Sequence, residues 1–159
     1  IRVVCNNTLA IALNGASQAV KVPHSTSFDA QAVKKQLGIS VSAWDEFMYR
    51  LKTLSERKVK NVEAQNFFWN VFNDASAKPG SATNERAMTK AMSLFEGQGK
   101  GASMASAQGT AFGLLNSVTE FIDHERRAKS VDHRLESAWF GQGANIKQKA
   151  LDQALLMVA

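Results

Sequence analysis

The apolar residues between Ala111 and Ile122 limit the folds open to this chain more than any other feature. Projected at about 100° per residue, Ala111, Leu114, Leu115, Val118, Phe121 and Ile122 fall on one stripe. Asn116, Glu120, Asp123 and Arg127 fall opposite. That pattern predicts an amphipathic helix from near Thr110 to Arg127, with a core beneath one face. The period recurs upstream in Trp44, Phe47, Met48, Leu51 and Leu54, a helix opened by Ser40 or Ser42. A helix capped by Ser27 or Asp29 precedes it and ends at Leu37, with Gly38 as its stop. Asn61 is placed to cap "VEAQNFFWNVFNDA". Its Phe67, Phe68, Trp69, Val71 and Phe72 cover more than one stripe. Such a helix is central to a core or forms a subunit contact in a homo-oligomer.

Thr83 or Asn84 starts a helix through Leu94 and Phe95, after the Pro79-Gly80 turn. Two more helices follow the long one, from Val131 to Phe140 and from about Asn145 to Val158, with "GQGA" as the break. At the other end, "IRVVC" is β-branched and short, and "AVKVPHS" alternates, so both read as strands. "LAIALN" between them has the makings of a short helix. The expected class is α+β, mainly helical: a small N-terminal β element followed by about six helices in one domain over residues 1–159. The abrupt start at Ile1, inside a strand, suggests a fragment of a longer protein.

Hydrophobic residues make up 45% and charged residues 21%, a globular composition. The formal net charge of +5 favours an acidic partner such as nucleic acid. Cys5 is the only cysteine, which excludes an internal disulfide and a cysteine-rich zinc site and fits a reducing, cytoplasmic setting. No apolar run approaches the ~20 residues of a membrane span.

The stretch "GQGKGASMASAQGTAFG", from Gly97 to Gly113, raises the question of a phosphate-binding loop. A P-loop needs a glycine five residues before Gly99 and a hydroxyl residue after Lys100; Leu94 and Gly101 stand there instead. The dinucleotide fingerprint needs a preceding strand, and "ERAMTKAMSLF" is helical. One lesser role survives: the N-terminus of the long helix, with Lys100 nearby, could hold a single backbone phosphate. The alternative is a plain connector whose glycines serve its turns.

Acid and histidine recur as Asp123-His124 and Asp132-His133. Glu120, Asp123, His124 and His133 are the candidates for acid/base or metal chemistry. Helix-stabilising pairs are the default for the same residues: Asp123 with Arg127, Glu120 with His124, and Asp132 as a helix cap. Glu125 points into the apolar stripe, so either the helix frays by then or a cation such as Arg134 meets it. Basic residues cluster at Arg50, Lys52, Arg57, Lys58 and Lys60, at Arg126, Arg127 and Lys129, and at Lys147 and Lys149. Aromatic residues lie near the first group, and rings beside cations suit a single strand of nucleic acid.

"RVVCNNTLAIAL", "GTAFGLLNSVTEFIDHERR" and "RLESAWFGQGANIKQKAL" together resemble the phage/plasmid-like proteins grouped as domain of unknown function nine-three-two. The resemblance runs from Arg2 to about Leu155. It implies a phage, prophage or plasmid setting, a further N-terminal region in the full-length protein, and a task in replication, recombination or host takeover. It carries no catalytic residues over to this chain.

These readings lead to a non-enzymatic, DNA-associated protein that needs no cofactor and no membrane. Lys58, Lys60, Lys100, Arg126 and Arg127 are its expected phosphate contacts. An enzyme built on Glu120, Asp123, His124 and His133 is one alternative. An assembly module with Phe67, Phe68 and Trp69 in a subunit interface is another.

Overall fold

The computed structural model describes residues 2–6, 8–12, 30–73 and 84–159. These residues are mainly helical, with six α-helices. They are α1 (Ala30–Glu56), α2 (Asn61–Phe72), α3 (Glu85–Ser93), α4 (Ala111–Glu120), α5 (Val131–Phe140) and α6 (Gln142–Leu156). The strand expected over residues 19–25, with His24, lies outside the described residues, as does the Pro79-Gly80 turn.

α4 is the centre of the fold. Its apolar stripe is buried as expected, with Ala111, Leu114, Leu115 and Val118 fully sealed. The opposite face is buried too, since Asn116, Ser117, Thr119 and Glu120 are all under 5% exposed. The one-faced picture is thus corrected: neighbours surround α4, and its hydroxyls turn back on its own carbonyls. Ser117 donates to Leu114 O and Thr119 to Asn116 O. With the α4 stripe, Leu51 and Leu54 of α1, Ala64, Phe68, Val71 and Phe72 of α2, and Ala150, Leu151 and Ala154 of α6 form one hydrophobic core.

Two boundaries differ from the sequence expectation. α1 runs straight through Gly38, because a glycine inside a helix costs only about 1 kcal/mol, which a 27-residue helix absorbs. α2 takes Asn61 as its first helical residue rather than its cap; Glu63 reaches back to accept from the Lys60 N–H at 2.8 Å. Asn84 does stand at a helix start, whereas α5 is capped by Ser130, whose hydroxyl accepts from the His133 N–H, and the expected cap Asp132 lies inside its first turn.

α3 and α4 both end in a widened π-type turn, Leu94–Gln98 and Phe121–Glu125. In each, an N–H reaches back five residues: Gly99 to Leu94 O and Arg126 to Phe121 O. The second turn changes the helical register, so Glu125 leaves the buried stripe and lies exposed, 3.4 Å from Lys90. Arg134 donates to the His124 carbonyl instead of meeting Glu125.

Candidate functional site

The glycine-rich stretch is an ordered connector. Successive turns carry it from Gly99 to Thr110 through bonds such as Ala102 to Gly99 O and Ala107 to Met104 O. Both of its ends are fastened. At one end the Glu120 carboxylate accepts the Lys100 backbone N–H, at 3.0 and 2.9 Å. At the other, the Val59 N–H donates to Gly109 O and the Ala111 N–H to Arg57 O. The Lys58 ammonium caps the Gln108 carbonyl at 3.0 Å. The α4 N-terminus is filled by the chain itself, since Thr110 is fully buried and its hydroxyl accepts from the Gly113 N–H. Of the N–H groups at that end, those of Ala111 and Gly113 are therefore already taken.

The acid and histidine candidates are placed apart in their contacts. Glu120 lines a small space of about 10 Å³ beneath the connector, room for one water at most, which Asn116 also lines. Asp123 binds Lys147 at 2.8 Å rather than Arg127. His124 is exposed, and the His133 ring lies 2.8 Å from the Ser130 hydroxyl that caps α5. Among the described residues, no group of three or more His, Cys, Asp or Glu side chains is arranged to hold a metal.

Much of the first basic cluster is engaged locally. Arg50 pairs with Glu46, and Arg57 with Glu63 and the Lys58 carbonyl. Phe67 and Phe68 stack edge to face inside the core, 4% and 1% exposed, so neither is available to a partner subunit; Trp69 is half-buried.

The prominent concavity lies elsewhere, a groove of about 1150 Å³. One wall is a face of α3, from Glu85 and Arg86 through Thr89 and Lys90 to Ser93. The other is a face of α6, with Gln142, Asn145, Ile146 and Lys149 at helical spacing. Its floor is Val71 and Phe72 from the end of α2, and Phe121 from the widened turn. That turn also brings Glu125, Arg126 and Arg127 to the rim.

Five cationic side chains (Arg86, Lys90, Arg126, Arg127 and Lys149) thus line one groove with two carboxylates, Glu85 and Glu125. Their partners are few. Lys90 meets Glu125, Lys149 donates to Asn73 O at 2.7 Å, and Arg126 donates to Gln142 Oε1. A second, buried guanidinium nitrogen of Arg126 has no hydrogen-bond partner among the described residues. Arg86 and Arg127 are exposed, and neither makes an ion pair among the described residues.

Of the five expected phosphate contacts, only Arg126 and Arg127 line this groove; Lys58, Lys60 and Lys100 do not. Sequence reasoning missed Lys149 as a phosphate contact, and Arg86 and Lys90 altogether. The spacing of four between Arg86 and Lys90 on one helix face was the available signal.

The model of the family described as Domain of unknown function (DUF932) matches residues 1–139, which takes in α1 to α4 and nearly all of α5. No curated protein and no solved structure matches the chain.

Proposed function

The chain belongs to the DUF932 family, and from that premise we propose that it is a non-enzymatic, DNA-associated protein of phages or related mobile elements. In this reading it holds backbone phosphates along the groove between α3 and α6 and serves as an accessory in recombination or replication. The small N-terminal β element ahead of the helices and a cytoplasmic setting belong to the same proposal. One observation carries it: cationic side chains from three separate segments line a single groove. A polyanion gains by neutralisation there and by release of its counterions. Among the described residues no helix is long and apolar enough to cross a membrane.

The test is titration of a labelled oligonucleotide across a salt series. Phosphate contacts make log affinity fall linearly with log salt. Arg126→Glu with Arg127→Glu should weaken binding at least tenfold at low salt and flatten that slope, because about two phosphate contacts are lost. Lys58→Glu with Lys60→Glu, outside the groove, should change it far less. Affinity independent of salt, or equal loss from both pairs, would overturn the reading.

A further inference from the structure

The groove is more than a charged trough, because its floor is apolar and aromatic. Phe121 begins the widened turn and is half-buried, whereas Phe72 beneath it is 7% exposed. Their rings meet at 88° with centroids 5.6 Å apart. In an edge-to-face pair, Phe72 covers at most one face of Phe121. The other face has no aromatic partner among the described residues, and Phe121 lines the groove between the cationic walls.

A duplex presents phosphates outward and keeps its bases stacked within, so its surface offers such a floor no open ring face. An unpaired strand offers both chemistries at once: phosphates for the rim and flat rings for the floor.

Resting on the phosphate-binding reading above, we propose that the groove takes single-stranded nucleic acid, with one unstacked base lying on Phe121. Arg126 and Arg127, which line the same groove, hold the phosphates beside that base. The volume of about 1150 Å³ exceeds the usual range for one small ligand, and a strand segment of a few nucleotides fits it better.

Three probes of equal charge separate the possibilities: an oligothymidylate, an abasic strand of the same length, and polyglutamate. With the native protein at one salt concentration, oligothymidylate should bind about tenfold more tightly than the abasic strand, the size of one stacked base. Phe121→Leu keeps apolar volume but removes the ring. It should bring that ratio near one and leave the salt slope unchanged, with circular dichroism checking the fold. Equal, salt-dependent binding of thymidylate and abasic strands overturns the base contact and leaves the phosphate track standing. Equal binding of polyglutamate overturns it as well, since charge alone would then be read. No binding of any probe overturns both readings. The comparison on the native protein decides even if Phe121→Leu fails to fold.

Discussion

The Lys147 ammonium donates to Asp123 Oδ1 at 2.8 Å with only 2% of the lysine side chain exposed. The bond ties α6 to the widened turn after α4, two elements that line the groove. A buried pair of this kind adds little against an apolar replacement, but removing one partner strands a charge. Asp123→Asn should therefore cost about 3 kcal/mol, and adding Lys147→Met should recover most of it. Urea unfolding of the two variants checks this; equal stability of both would contradict it.

Glu63 gives a pH signature. The Lys60 backbone N–H, then the Arg57 guanidinium, hold its carboxyl below its ordinary value of 4.5. A depressed folded-state pKa gives stability that is present above the unfolded value and lost as pH falls through the folded one. The native protein should lose thermal stability as pH drops below 4.5, and Glu63→Gln should make that decline shallower. Melting temperatures in the acid range, native against variant, measure the difference.

Gly113 and Gly109 should answer differently to alanine. A Cβ at Gly113 would lie 2.0 Å from the Ala107 carbonyl oxygen, so the turn holding Thr110 must move. Alanine improves helix propensity there by about 1 kcal/mol, but the clash outweighs it and the expected net loss is about 3 kcal/mol. At Gly109, with φ +64°, nothing among the described residues lies within 4 Å of the added carbon. The loss there should be only the conformational cost, about 1 kcal/mol. Denaturant midpoints of the two variants should rank in that order.

Glu125 screens Lys90 at the rim, 3.4 Å away and about 40% exposed. The pair contributes less than about 1 kcal/mol to stability. Glu125→Gln should leave the melting temperature nearly unchanged and tighten oligonucleotide binding about twofold to fivefold at low salt. Lys90→Glu should weaken it. A titration in which both variants shift affinity the same way would contradict the groove assignment.

The helices were largely legible because period and helix-start residues agree at Asn84 and Thr110, whereas Ser130 rather than Asp132 caps α5. Burial around α4 was less so. Asn116 and Glu120 look solvent-facing on a helical projection, yet the connector packs over that side and the Lys100 N–H satisfies Glu120. The widened turn at Phe121–Glu125 leaves no mark in composition, and it moved Glu125 away from its expected place and Asp123 away from Arg127. The groove was half visible: "ERRAK" advertised Arg126 and Arg127, whereas their juxtaposition with Arg86 and Lys90 is a property of tertiary packing.

The connector's double fastening bears on how the backbone tolerates being cut. Ser103, Met104 and Ala105 are exposed, while Lys100 on one side and Gly109 on the other are held by segments outside the connector. A protease nick or an inserted peptide among those three residues would leave both flanks anchored. The chain could then be divided there into two pieces that reassemble, with α4 in one and its clasp to Arg57 and Val59 in the other.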